Sequence, residues 1–399
     1  MKPPIIFSFF SGVGFLDLGF EKAGYEVAFV NEIHASFLHA YKHSRKIMRI
    51  PEPRFGFHEG DISEFFLPEF KVRLKDMVKE CLLERDVVGF IGGPPCPDFS
   101  IGGKNRGREG DNGKLSATFI ELICDQKPSF FVFENVKGLW KTRKHRRFYE
   151  ELKNRLHSNG YVTTERLINA LEYGVPQDRE RIILIGFKSD FLADIGHKVS
   201  KPSPNLDEIF PWKKRLKYPI YEVKAYPWPG TNTFIEDSDI PCPDGIPLEL
   251  TVEHWFRKNK VLNHPNSSMY FKPRAGRIRM ASIDEGDDSK KSYKRLHRWR
   301  YSPTAAYGNN EVHLHPYKIR RISVSEALAI QSLPLEFELP DNITLTDAFK
   351  TIGNGVPYLA SKGVAETLLD FLGVKTCGLQ HLTSSEQSTN YQETVTTSI

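Results

Sequence analysis

"IIFSFFSGVGFLDLGFEKAGYEVAFVNE", residues 5–32, is the stretch on which the fold turns. A short apolar run (5–10) ends in a turn containing Gly12 and Gly14. A helix-like segment (15–23) then runs to Gly24, and a second apolar run (26–31) ends at Glu32. Strand, tight turn, helix and strand in that order predict the start of a parallel α/β sheet. Gly12 and Gly14 let the backbone turn sharply and bring amides close to a ligand at a helix N-terminus. The dinucleotide fingerprint would need a third glycine at position 17, which is Asp, and this counts against a nicotinamide oxidoreductase. Glu32 closes the second strand, where a carboxylate can accept hydrogen bonds from both hydroxyls of a ribose. Asp61, in "EGDIS", is expected after a third strand and suits an adenine amino group. Together these features describe a nucleoside cofactor with no pyrophosphate to cradle.

The same rhythm continues outward. Runs at 86–93, 129–135 and 181–187 read as strands, short and apolar on both faces. Helices are expected at 34–46, 69–84, 115–126 and 145–158, so the class is α/β, a parallel doubly wound sheet with helices on both faces. From 188 to 318 the alternation stops and Pro, Asn and Gly accumulate. Within 257–300 there are thirteen Lys and Arg against four acids, a net +9 in a chain whose total is +5. These basic residues interleave with Trp255, Tyr270, Phe271, Tyr293, Trp299 and Tyr301, a nucleic-acid pattern; the competing reading is a solvated charged face. Regular structure resumes near 320, where Ser323 and Glu326 form a capping-box pattern. A Gly-Asn-Gly turn (353–355) precedes a final helix at 357–371. The expected organisation is therefore a body of 1–187 and 319–373, interrupted by 188–318, with a Ser/Thr/Gln-rich disordered tail at 374–399.

Composition narrows the class further. No apolar run approaches the ~18 residues of a membrane span. Residues 1–20 lack a small-residue cleavage site and carry Asp17, so they read as the first strand rather than a secretion leader. Five cysteines, never in CxxC spacing, exclude a disulfide scaffold and a Cys-rich metal centre and fit a reducing cytoplasm.

Reactive chemistry is concentrated in "GFIGGPPCPDFS" (89–100). Paired glycines and prolines make a rigid turn that presents Cys96 at the carboxyl end of the sheet, where ligands bind in this architecture. A buried structural cysteine is the alternative, and a position between prolines at a strand end suits it poorly. The polar, glycine-rich 101–113 reads as a mobile lid over a phosphate backbone. In "FFVFENV", Glu134 ends another interior strand, where desolvation would raise its pKa and let it donate to a ring nitrogen; its alternative role is a helix cap. "PQDRERIIL" sets Arg179 and Arg181 two residues apart on one strand face, so that one can point into the site while the other contacts structure.

In order and spacing, "FSGVG", Glu32, "GDI", "GGPPCPDFS", "FENV", "QDRER", "RRISVSEALAIQSLP" and "IGNGVP" resemble the successive motifs of the DNA (cytosine-5)-methyltransferases, of the bacterial restriction-modification type. The resemblance covers most of the chain. It implies a Rossmann-like S-adenosylmethionine-dependent methyltransferase sheet, with 188–318 as the target-recognition domain. It implies that Cys96 is the nucleophile adding to C6 of cytosine, that Glu134 contacts N3 and the exocyclic amine, and that Arg179 stands near the base and Glu134. Phe10, Gly12, Gly14, Glu32, Asp61, Ile62, Leu115 and Asn354 would line the S-adenosylmethionine site. The chain departs from the family pattern at Ser8 (usually Asp), Phe15 (usually Gly) and Pro97 (usually Gln).

What the resemblance implies for the cell is a cytoplasmic monomer acting on double-stranded DNA, paired with a restriction endonuclease. An RNA (tRNA) cytosine methyltransferase of the same fold is an alternative, against which the long basic insertion argues. A catalytically inactive DNA-binding regulator is another, and would be expected to lack Cys96, Glu134 or Arg179.

Overall fold

In the computed structural model, residues 2–95, 111–197, 205–273, 276–290, 292–305, 307 and 311–374 are described; Cys96 and most of the 101–113 stretch lie outside them, as does the expected tail apart from Val374. Seven strands make one sheet: β1 (Ile5–Phe9), β2 (Glu26–Glu32), β3 (Phe57–Glu59), β4 (Val88–Gly92), β5 (Phe130–Val136), β6 (Tyr161–Asn169) and β7 (Glu180–Lys188). Their order is β3-β2-β1-β4-β5-β7-β6. The first five strands pair in parallel. β7 runs antiparallel to both β5 and β6, so the all-parallel expectation fails at this edge. The reason is local: only residues 170–179 join β6 to β7, too few for the crossover of a dozen or more that a parallel return needs. β6 itself, "YVTTERLIN", escaped the sequence reading because its middle is polar rather than an apolar run.

Helices α1 (Phe15–Ala23), α2 (Ala35–Ile47), α3 (Pro68–Glu84), α4 (Asp111–Gln126), α5 (Lys137–Lys141) and α6 (Arg143–Ser158) alternate with these strands. α4 begins at Asp111, so residues 111–113 belong to a helix and not to the expected lid. Alternation along β1 sends Ile5, Phe7 and Phe9 into one hydrophobic layer with Phe90, Phe119 and Phe133, and Ile6 into the other with Phe20, Phe130 and Val132. Burial on both faces is why these strands read as continuous apolar runs.

The insertion holds α7 (Ser189–Asp194), α8 (Ile220–Ala225), α9 (Val252–Lys258) and α10 (Arg277–Ala281). It shares a hydrophobic cluster with the body, since Val252, Trp255 and Leu296 pack with Val13, Phe15 and Leu18. Beyond it, α11 (Val324–Ile330) starts with the expected capping box: Glu326 Oε2 accepts from the Ser323 amide at 2.7 Å. Gly353 and Asn354 form the last turn of an unforeseen helix, α12 (Leu345–Asn354), rather than a free turn. α13 (Tyr358–Phe371) then lies against α1: Ser361 Oγ donates to the Leu16 carbonyl at 2.6 Å, and a Cβ at Gly19 would fall 2.2 Å from that Oγ. α13 thus adds to the helical cover begun by the first helix.

Candidate active site

At the carboxyl end of β1 the backbone reverses through left-handed conformations at Phe10 (φ 54°), Gly12 (φ 55°) and Gly14 (φ 80°). Such a φ is uncommon for a non-glycine residue such as Phe10 and marks a constrained turn. Gly14 is required twice over, because a Cβ there would also lie 2.3 Å from the Tyr41 ring. Buried Arg45 locks the turn by donating to the Gly14 carbonyl at 2.7 Å and pairing with Glu21 at 3.0 Å. Ser8, where the resembling family usually has Asp, donates to buried Asp17 at 2.9 Å.

Glu32 is tied to the same turn. Its Oε2 accepts from the Gly12 amide at 2.8 Å and its Oε1 from the His34 amide at 2.9 Å. Each oxygen keeps a second lone pair for a ligand hydroxyl. Asp61 accepts from the Ser63 amide at 2.8 Å, next to buried Ile62. Phe10 meets Phe119 edge-on at 5.9 Å, and half-buried Leu115 packs into the same cluster. Thr351 approaches Gly12, with Oγ1 3.6 Å from a Cβ built there; Asn354, exposed, lies one turn further along α12. Acceptors for a ribose and for an amino group, a tight glycine turn and aromatic walls suit an adenine nucleoside.

The second focus lies one strand over. Glu134, near the end of β5, is buried, and a Cβ at Gly93 would sit 2.6 Å from its Oε2. Asn135 Nδ2 donates to the Pro94 carbonyl at 3.5 Å. The segment running into Cys96 is therefore held directly against Glu134, although Cys96 itself falls outside the described residues. Burial pushes the Glu134 carboxyl above the usual carboxylate range, and the neighbouring Arg181 and Arg179 cations oppose that rise. The direct partner is Arg181, whose Nε lies 2.9 Å from Glu134 Oε1.

Arg179 behaves differently from the one-face expectation. It precedes β7, which starts at Glu180, so the strand's alternation does not govern it. Its buried guanidinium donates to the carbonyls of Ala305 (3.0 Å) and Gly353 (2.7 Å), tying the insertion and α12 to the catalytic end. Arg181 is the residue the sequence reading left without a role; its signal was the two-residue spacing within "RER".

The basic insertion also divides. Arg298 is buried against Glu285 at 2.8 Å, and Arg295 is fully buried. Trp255 and Trp299 are buried too, so part of the charged, aromatic run is internal scaffolding. Arg257, Lys258, Lys260, Lys272, Arg277, Arg279 and Lys290 are exposed.

With the Glu32 and Asp61 acceptors and the buried acid against Gly93 in place, the comparisons with known proteins decide the family. The model of the C-5 cytosine-specific DNA methylases matches residues 5–370. The chain belongs to that family. It is 56% identical to the type II methyltransferase M.NmeDI of Neisseria meningitidis serogroup C, over 93% of this chain and 84% of that protein. To M.FnuDI, a type II methyltransferase of Fusobacterium nucleatum, it is 28% identical over 92% of this chain and 95% of the other. In fold, the methylase resembles a candidate DNA modification methyltransferase encoded within an E. coli prophage (TM-score 0.62, 24% identity, 93% of this chain and 100% of that one). It also resembles the S. pombe Dnmt2 methyltransferase (TM-score 0.55, 13% identity, 92% and 98%). Its sheet is accordingly the Rossmann-like sheet of S-adenosylmethionine-dependent methyltransferases. No helix among the described residues of the methylase is long and apolar enough to cross a membrane.

Proposed function

We propose that this methylase transfers a methyl group from S-adenosylmethionine to C5 of a cytosine flipped out of a short, specific double-stranded DNA site. The observation that carries the reading is the contact of Glu134 with Gly93, which sets a buried acid against the turn leading into Cys96. S-adenosylmethionine supplies an electrophilic methyl group on a sulfonium; Phe10, Gly12, Gly14, Glu32, Asp61, Ile62, Leu115 and Asn354 would hold it.

Cytosine C5 is too weakly nucleophilic to take that methyl group unaided. The Cys96 thiolate adds to C6, and the electron pair of the C5=C6 bond moves into the ring toward C5 and N3. Glu134, whose pKa burial raises, donates to N3 and stabilises the charge there. Arg181 orients that carboxyl group, while Arg179 joins the insertion to the site. Once the methyl group is on C5, loss of the C5 proton to solvent returns its electron pair to the C5=C6 bond, the thiolate leaves C6, and the N3 proton goes back to Glu134. None of this can happen within a stacked duplex, so the base must leave the helix.

In this reading 1–187 and 319–373 form the catalytic domain, 188–318 recognises the target and 374–399 is a tail. The protein acts as a cytoplasmic monomer, since one chain supplies both the site and the recognition segment. The 56% identity to a type II methyltransferase supports protection of DNA against an endonuclease of the same specificity. The test is Cys96→Ser: methyl transfer to plasmid DNA, read by bisulfite sequencing, should disappear while DNA binding persists. Wild-type turnover by that variant would overturn the mechanism.

A further inference from the structure

α10 is five residues long, too short to hold its shape unaided. It is fixed by Arg295, whose fully buried guanidinium donates to four carbonyls: Met280 (2.5 Å), Ile283 (2.8 Å), Lys318 (3.1 Å) and His315. Met280 packs inward with Ile283 and Leu314. What this anchoring presents outward is Ile278, 89% exposed, with Arg277 and Arg279 exposed on either side. Successive helical residues are about 100° apart, so the two arginines diverge to opposite flanks of the isoleucine.

A lone exposed isoleucine would need no explanation. Here a buried cation is spent on holding a short helix whose outer surface is one aliphatic side chain between two cations. Contacts link this ridge to the catalytic end. The Arg279 guanidinium lies 4.3 Å from the Tyr293 ring, which Arg321 faces at 5.4 Å. Arg321 donates to the Val312 carbonyl, the adjacent His313 meets Tyr307 edge-on at 5.2 Å, and Arg179 bonds Ala305 close by.

We infer that Arg277, Ile278 and Arg279 form a DNA-reading ridge. Ile278 enters the major groove and rests on the C5 edge of a pyrimidine, and the two arginines reach the phosphates on either side. The groove admits a helix, and an aliphatic contact with a pyrimidine C5 substituent discriminates among bases there. Arginines on phosphates set register and affinity without sequence information. This rests on the DNA-methylation reading above.

The test has two arms and one control. Wild-type enzyme first methylates a random-sequence DNA library, and bisulfite sequencing defines its site; absence of DNA methylation here would sink the functional reading rather than the ridge. Ile278→Ala should then lower the preference for the cognate base at one position by on the order of tenfold, read as the ratio of kcat/KM for the cognate site to kcat/KM for the site substituted there. Arg277→Gln/Arg279→Gln should weaken binding evenly across sequences and reduce the salt dependence of log affinity by about one to two phosphate contacts. Thermal unfolding confirms that both variants fold. An active wild type, with Ile278→Ala leaving the site profile unchanged, overturns base reading by Ile278. An unchanged salt slope in the double variant overturns the phosphate contacts.

Discussion

The carboxylate of Glu134 occupies the space a side chain at Gly93 would need, since a Cβ there falls 2.6 Å from Oε2. Gly93 does not have a left-handed φ, so its backbone tolerates alanine and the contact alone decides the outcome. Gly93→Ala should push the acid out of position and lower kcat by on the order of a hundredfold, the scale of a misplaced general acid. Only the tip of the Glu134 side chain is met, its Cδ and Cβ lying 3.7 and 3.8 Å away, so the cost in stability should stay at about 1 kcal/mol or less. Single-turnover methylation beside thermal melts checks this; a variant with a reduced melting temperature but an unchanged rate would contradict it.

Glu134→Gln removes the transferable proton while keeping shape. We expect a loss of about 10²–10⁴-fold in the chemical step. In the proposed mechanism the protonated carboxyl is the active form, and burial raises its pKa. The wild-type rate should therefore fall as pH rises through that raised value, a limb measurable in single-turnover pH profiles. In the Gln variant the limb should vanish; its persistence would assign the titration to another group.

Arg181 and Arg179 should separate by phenotype. Arg181 lies 2.9 Å from Glu134, so Arg181→Lys should lower kcat and move the falling, high-pH limb with little change in melting temperature. Arg179 serves the buried Ala305 carbonyl and the part-buried Gly353 carbonyl, so Arg179→Met leaves both without this donor and should cost about 2–4 kcal/mol, on the order of 1–3 for the buried one and less for the other. Melting curves and pH–rate profiles of both variants test the split. Equal loss of stability in the two would refute it.

Asp17 should impose a pH dependence on stability. Burial raises its pKa from 3.8 to about 6, against the opposing pull of Arg45. Between those values the folded protein keeps a proton that the unfolded chain has lost, so stability falls as pH rises from about 4 to about 6. The size is about 3 kcal/mol, from roughly 1.4 per pKa unit. Asp17→Asn should flatten that interval in urea unfolding series at stepped pH; an unaltered slope would exclude Asp17 as its source.

Much of the fold was legible because its signals are local. α1 begins and ends at the expected residues, since Gly14 and Gly24 bracket it in left-handed conformations. β5, buried on both faces, announced itself as an unbroken apolar run, and the Ser323–Glu326 capping box was visible at its fixed spacing. β6 was not legible, because a sheet-edge strand with Thr163, Thr164, Glu165 and Arg166 at its centre lacks that run. For the same reason the antiparallel direction of β7 was hidden; it depends on which strand β7 pairs with.

The sequence by itself determined the glycine turn after β1, the order of the motifs and the family, because these reside in residue types at fixed short spacings. The tertiary structure alone decided which arginine serves Glu134, because that depends on where β7 begins and on the remote carbonyls of Ala305 and Gly353. It also decided how the +9 segment divides. Arg295 and Arg298 are drawn inside, where carbonyls and Glu285 replace their water, while Arg277 and Arg279 stay outside on a helix that Arg295 holds in place. Charge is countable along a chain; whether a given charge meets solvent or a buried partner is settled only when distant segments pack.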